Sequence, residues 1–269
     1  MVRMPHVVFH VSGHPDDVLL FKGEMLHNDL QWPDVKVVSV VTTAGDAGRV
    51  DDWWWAREHG LVDSLRVGKR EDFTPIPITV GGHTVMCYRA GSWRAWFLRL
   101  PDGNVDGSGF ASTGFQSLPK LRDGQLSGMD SLPTAAIPAQ HYSSWADVVR
   151  TLRAIVSLER RGATNPHPWV NASDYNRARN PEDHPDHYAT ADALRSFLGQ
   201  DGCNRAWWVS YDTADRPANL SGTTLANKRR LYYDGYVDLT TRIMGRKPPE
   251  CDAEWNRWGA RDYWREETV

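Results

Sequence analysis

A doubly wound, mostly parallel α/β sheet with helices on both faces is the fold class the sequence predicts. Three observations predict it. Two short runs, HVVFHVSG (6–13) and VKVVSVVTT (35–43), carry consecutive rather than alternating apolar residues. That is the pattern of parallel strands covered on both faces. The segment between them, VLLFKGEMLHNDL (18–30), puts Val18, Leu19, Phe21, Met25, Leu26 and Leu30 on an imperfect helical stripe, weakened by Gly23. A strand, a helix and a strand at this spacing form a right-handed parallel crossover. Finally, two unusual loops, 12–17 and 42–48, each directly follow one of these strands. In open α/β sheets the ligand crevice lies beyond the carboxyl ends of the strands.

The remaining elements extend the same Rossmann-like pattern. Residues 52–67, DWWWAREHGLVDSLRV, read as a helix, 78–90 as a hairpin around Gly81-Gly82, and 93–100 as a strand. Residues 101–141 carry many Gly, Ser, Asp and Pro and little periodicity. A loop of that length is usually functional or disordered, and it reads as a wall or lid beside a site. The clearest helix is 143–162, with Ser144 and Asp147 spaced as a capping box and Gly162 as its stop. Its apolar face is Trp145, Val148, Val149, Leu152, Ile155 and Val156. A short strand near Trp169–Val170, a helix in the second part of 183–199, a strand over 205–211 and a helix over 223–244 follow. The expectation is one α/β domain over 1–269, its core spanning about 6–212, with a C-terminal helix and a peripheral tail over 213–269.

Composition narrows the function classes. The 269 residues carry 31 basic and 34 acidic side chains, a net charge of −3, which gives no reason to expect nucleic acid as a partner. Three cysteines, Cys87, Cys203 and Cys251, are odd in number and widely spaced, so they read as buried apolar residues rather than a disulfide framework or a metal motif. The N-terminal apolar run is interrupted by His10 and leads straight into a motif, so it does not read as a signal peptide. No stretch reaches the ~18 apolar residues of a membrane span. These readings predict a cytoplasmic protein, or one with a trimmed leader.

Two polar clusters carry the chemistry. In VSGHPDDVLLF (11–21), His14, Asp16 and Asp17 stand where the first strand ends. In DHPDH (183–187), His184 and His187 are three apart and share one side of a helical turn. Alone, the first reads as a turn and the second as a polar helix start. Together they supply what a catalytic zinc site needs: three ligands from His, Asp or Glu and one open position. His14, one carboxylate of Asp16/Asp17 and one of His184/His187 would complete the set, leaving a carboxylate and a histidine for proton transfer.

HPDD after a first strand, paired with a later HPDH, resembles the LmbE-like, or PIG-L, family of zinc-dependent N-deacetylases. TTAGDAG (42–48), WWWAREHG (53–60) and LRLPDGN (98–104) are similar to further segments of that family. The resemblance spans roughly residues 6–200. It implies one catalytic zinc ion held by His14, Asp17 and His187, with Asp16 as general base on the attacking water. It further implies that His184 faces the oxyanion or protonates the leaving amine, that Asp186 orients His184, and that Arg57 and Asp102 bind substrate with Asp46 as an outer contact. One departure is Val18, where the family often has an acidic residue.

The function implied is removal of an acetyl group from the amide nitrogen of a small N-acetylated amino sugar or glycoconjugate. The alternative is the same metal-dependent amide hydrolysis on a natural-product intermediate, thiol conjugate or short acyl peptide. A non-enzymatic carbohydrate-binding module is motivated by the 13 tryptophans, Trp53, Trp54 and Trp55 among them. Consecutive helical residues spread around the axis, however, and form no flat platform.

Overall fold

A computed structural model describes residues 5–269 of the chain; the first four positions of the N-terminal run lie outside the described residues. Its strands are β1 (His6–Ser12), β2 (Val35–Thr43), β3 (Thr74–Val80), β4 (His83–Arg89), β5 (Trp93–Leu100), β6 (Met129–Asp130), β7 (His141–Tyr142), β8 (Trp169–Ser173), β9 (Asn204–Trp208) and β10 (Trp264–Glu267). The α-helices are α1 (Asp17–Phe21), α2 (Gly23–Gln31), α3 (Trp53–Lys69), α4 (Leu118–Arg122), α5 (Trp145–Glu159), α6 (Pro185–Leu198), α7 (Gly222–Arg230), α8 (Asp238–Met244) and α9 (Pro249–Trp258).

Eight strands form one sheet in the order β10-β9-β8-β1-β2-β5-β4-β3. The pairs β9–β8, β8–β1, β1–β2 and β2–β5 are parallel, and β10, β4 and β3 add antiparallel margins. The strand order reverses between β1 and β8, which is the topological switch point where open α/β sheets bind ligands.

The pleat explains the unbroken apolar runs. Val7, Phe9 and Val11 of β1 and Val38 and Val40 of β2 pack with Leu152 and Ile155 of α5 and Leu194 and Phe197 of α6. Val37 and Val41 point the other way, into a second core with Leu19 and Phe21 of α1, Leu26 of α2 and Leu61 and Leu65 of α3. Each strand therefore buries both faces, as its composition predicts. Trp93, Trp96, Trp207 and Trp208 are wholly buried in these layers, and Trp53 is nearly so. Those five tryptophans are packing residues and offer no face for stacking. Val18 is wholly buried in the second core, so apolar packing accounts for it where the family often has an acid.

The structure departs from expectation at four places. The helix over 18–30 breaks at Lys22, whose φ of −144° is non-helical. A Cβ on Gly23 would lie 2.7 Å from the Lys228 side chain, so the break lets α2 approach α7 closely. The hairpin starts earlier, at Thr74, because Pro75 and Pro77 fall on the edge strand β3, where a missing donor costs little. The 101–141 loop is ordered into a short helical turn, α4 and the β6–β7 pair. The C-terminal part is not peripheral: β10 joins the main sheet, and a π-helical stretch, Leu231–Val237, runs between α7 and α8 against α3. No helix among the described residues is long and apolar enough to cross a membrane.

Candidate metal centre and active site

Local sequence shapes the first half of the site. The chain leaves β1 at Ser12 and turns through Gly13-His14-Pro15. The turn closes on itself, since the His14 backbone N donates to Asp17 Oδ2 at 2.7 Å. Asp16 occupies the N-cap of α1 without using its carboxylate as a cap, so that group is available to other partners. The second half comes from the loop after β8. His184 caps α6, its Nδ1 accepting from the Asp186 backbone N at 3.2 Å, and Pro185 stands at the first helical position.

At the switch point the two halves meet. His14 Nδ1 lies 3.1 Å from His187 Nε2, His187 Nε2 lies 3.0 Å from Asp17 Oδ2, and His14 Nδ1 lies 3.6 Å from Asp17 Oδ1. His14, Asp17 and His187 are all buried. Tetrahedral ligands about 2.0–2.1 Å from a zinc ion stand roughly 3.3 Å apart, so the spacing fits such an ion.

The far sides of the rings decide which nitrogens are free. His187 Nδ1 faces Asp183 Oδ1 at 2.7 Å, and His14 Nε2 faces Asp186 Oδ2 at 3.3 Å. A carboxylate behind an imidazole holds the proton on that side. The lone pairs of His14 Nδ1 and His187 Nε2 are left converging beside the Asp17 carboxylate, and this donor set fits a divalent cation. Burial disfavours charge on both imidazoles, but Asp17 outweighs it, with Asp102 at His14 and Asp183 at His187. The result holds His14 well above its ordinary value and His187 at about 10. Asp17 is driven well below the usual carboxylate range by His187 and His14, against the opposing effect of burial. Negative charge thus dominates the cluster, and a cation bound there displaces protons.

His184 lies within the same cluster: its ligand atom and those of His14 and His187 all fall within 4.8 Å of one another. Its chemistry differs. Nδ1 accepts from backbone, which places the proton on Nε2, 3.7 Å from Asp102 Oδ1. Burial, reinforced by neighbouring His14, lowers its pKa to about 4, so the ring is neutral at pH 7 and offers an N–H rather than a lone pair.

No family model matches the chain, and no curated protein matches it significantly. Solved structures do. The N,N'-diacetylchitobiose deacetylase of Pyrococcus horikoshii superposes over 97% of this chain and 84% of that one, with 17% identity and a TM-score of 0.50. The fold is that of this deacetylase. It is the mostly parallel α/β architecture that the sequence predicts. A deacetylase of teicoplanin biosynthesis aligns over 97% of this chain and 96% of that one (14% identity, TM-score 0.49). The A40926 pseudoaglycone deacetylase Dbv21 aligns over 98% and 96% (13% identity, TM-score 0.47).

Asp16 is buried and paired with Arg57, whose Nη2 donates to its Oδ1. Arg57 Nη1 donates to Gly45 O at 2.6 Å and Nε to the Tyr236 hydroxyl at 3.1 Å, so the guanidinium expected to bind substrate is turned onto protein groups. Asp102 sits 3.7 Å from both His14 Nε2 and His184 Nε2. Asp46 accepts from the backbone N of Asp102 at 2.8 Å and of Gly48 at 3.1 Å, tying the two loops together.

A bulge delivers Asp102. The β2–β5 register shifts between Val41 and Thr43, and Arg99 adopts φ +58°. That left-handed conformation is held by a buried bidentate pair with Glu58, at 2.7 and 2.6 Å. The carboxylate of Asp186 is closer to His14 (3.3 Å) than to His184 (3.8 Å), so it braces the former ring and only its backbone N contacts the latter. The seven other histidines stay outside the cluster; His10 pairs with Asp29 and His83 with Asp147, each at 2.8 Å.

Sequence reasoning missed Asp183. It stands four residues before His187, a helical pairing distance that marks it as a partner.

The bracing of His14 is testable at Gly103, whose backbone N donates to Asp186 Oδ2 at 2.8 Å. A Cβ there would lie 2.4 Å from Asp186 Oδ1, so Gly103→Ala must push the carboxylate off His14. Metal affinity is expected to fall about 10- to 100-fold. Competition titration against a chromogenic chelator measures it, and an unchanged affinity would show that His14 does not depend on Asp186.

Proposed function

We propose that the protein is a zinc-dependent N-deacetylase that releases acetate from a small N-acetylated amino sugar or glycoconjugate. One observation carries the reading. Two imidazole lone pairs, each fixed by a carboxylate behind its ring, converge with Asp17 on one point beside the uncoordinated carboxylate of Asp16. The fold shared with a chitobiose deacetylase, whose substrate is an N-acetylated sugar, supports the substrate class.

His14, Asp17 and His187 would hold the ion, which when bound supplies a Lewis acid and lowers the pKa of a water to about 7. The chain's own groups do the rest. Asp16 takes a proton from the attacking water, and Arg57 holds that carboxylate in place. His184 is neutral, so its Nε2–H donates a hydrogen bond to the carbonyl oxygen as negative charge grows there. A pKa of about 4 makes it a weak proton carrier at pH 7, so the proton held by Asp16 is the one returned to the amide nitrogen as the carbon–nitrogen bond breaks. The products are acetate and a free amine, with one water consumed. Asp102, next to both rings, and Asp46 behind it shape the wall that meets the sugar.

The test is acetate release from N-acetylglucosamine and N,N'-diacetylchitobiose before and after dialysis against a chelator. Activity should vanish with the metal and return with one equivalent of zinc. Turnover that survives complete metal removal would overturn the mechanism. Release only from acylated amines without a sugar would move the substrate to the other amide class.

A further inference from the structure

The break between α1 and α2 brings a cation to the margin of the sheet. Lys22 stands at that break, and its Nζ lies 3.9 Å from the centroid of the Trp264 ring of β10. The side chain is wholly buried, and among the described residues its Nζ has no hydrogen-bond partner. Lys228, equally buried, donates to Leu20 O at 2.6 Å, to Arg261 O at 3.0 Å and to the Asp262 carboxylate. That is how this fold satisfies an ammonium held for structure. A buried ammonium without an acceptor is costly, so packing alone does not account for Lys22. Burial lowers its pKa to about 8 against the pull of Asp262, Asp29 and Glu266, which leaves it mainly charged at pH 7.

A cavity of about 240 Å³ lies beside it. Lys22 and Asp29 wall the cavity on the helix side, Trp264 and Glu266 at the edge strand, and Val8 and Trp169 on the sheet. Val8 pairs with Trp169 across β1 and β8, four residues before β1 ends at Ser12. At the rise of a strand this is roughly 13 Å back from the turn that carries His14, so the cavity is separate from the metal centre. Asp29 turns Oδ2 to His10 at 2.8 Å, and Glu266 is exposed. Trp264 is 40% exposed and Trp169 is partly buried.

These groups set the chemistry of a ligand. The ammonium needs an oxygen acceptor, the two carboxylates take hydroxyl donors, and the indoles offer apolar faces. A pyranose ring supplies all three, since its hydroxyls both accept and donate while its C–H groups cover a ring face. We propose that this cavity is a secondary carbohydrate site that takes one neutral hexopyranose unit, with a hydroxyl oxygen accepting from Lys22 Nζ, further hydroxyls donating to Asp29 and Glu266, and the ring against the indoles. Trp264 covers the amine from the edge strand, and an exposed side chain there turns aside quickly enough to admit the sugar.

Cellobiose is the probe, because it has hexopyranose rings and no amide to hydrolyse. In nitrogen-15 spectra, the indole N–H signal missing from Trp264→Ala should shift with added cellobiose and saturate. Titration calorimetry should show binding weakened roughly 10- to 100-fold in Lys22→Met, the scale of one hydrogen bond to a charged group. Trp264→Ala should weaken it about 3- to 10-fold. An indole signal that does not respond, or the same affinity in Lys22→Met as in the parent, would overturn the site.

Thermal melts separate a binding role from a structural one. Methionine keeps the volume of Lys22 and removes a buried ammonium that has no acceptor, so the melting temperature of Lys22→Met should hold or rise while cellobiose binding falls. A lower melting temperature would make Lys22 a structural cation and overturn the proposal. The outcome is independent of the deacetylase reading. Cellobiose binding at Trp264 stands even if no acetate is released from any acylated amine, and acetate release without cellobiose binding leaves that reading intact while this site fails.

Discussion

Asp16→Asn is expected to lower kcat about 10²- to 10⁴-fold, the usual contribution of a positioned general base, while leaving zinc bound. The residue is adjacent to Asp17, a proposed ligand, but has a different set of partners. Its Oδ1 meets Arg57, whereas Asp17 faces His14 and His187. Asparagine keeps the shape and an oxygen for Arg57 but cannot take a proton at neutral pH. It also leaves a buried guanidinium without its countercharge, so some loss of stability will accompany the loss of rate. Circular dichroism melts and metal analysis separate the two effects. Zinc content equal to the parent with kcat down by orders of magnitude is the expected pair of results. An unaffected kcat would remove Asp16 from the reaction, and loss of zinc would make it a ligand.

His187→Ala is expected to abolish zinc binding and activity together. The ring is wholly buried and sits between Asp17 at 3.0 Å and Asp183 at 2.7 Å. Its removal would delete one proposed ligand and leave two carboxylates facing an unfilled space. Breaking a buried ion pair from one side costs about 3–5 kcal/mol, so the melting temperature should also fall. His184→Ala is the informative contrast. If that ring is a neutral donor, its loss slows turnover but leaves zinc content near the parent's. Metal analysis of both variants distinguishes a His14–Asp17–His187 set from one built on His14, His184 and His187. Loss of zinc from His184→Ala as well as from His187→Ala would favour the second set.

Local periodicity made much of the fold legible. Unbroken apolar runs at 6–13 and 35–43 required two covered faces, and the helical stripe between them required a parallel crossover. The parallel β1–β2 pair is the one that pattern predicts; the full strand order and its reversal between β1 and β8 came from the structure. Where the reading failed, a distant contact overrode a local signal. Gly23 marks a break because Lys228, more than two hundred residues away, occupies the space of its missing Cβ. Pro75 and Pro77 hide a strand that survives only because it lies at an edge. The segment after Pro248 has weak periodicity, yet β10 completes the sheet and α9 packs on α1.

The same division runs through the site. By itself the sequence determined the chemistry on offer: imidazoles and carboxylates clustered at one strand end and one helix start, with His184 and His187 on one helical turn. Those are properties of residue type and of spacing within a few positions, which backbone geometry makes local. Only the tertiary structure decided what each group does. Asp183 and Asp186 set the tautomers of His187 and His14, the Asp186 backbone makes His184 a donor, and Arg57 is turned onto Asp16 instead of outward. Lone pairs, proton positions and charge depend on neighbours a few ångströms away, and two of those four contacts, Asp186 on His14 and Arg57 on Asp16, join parts of the chain far apart in sequence.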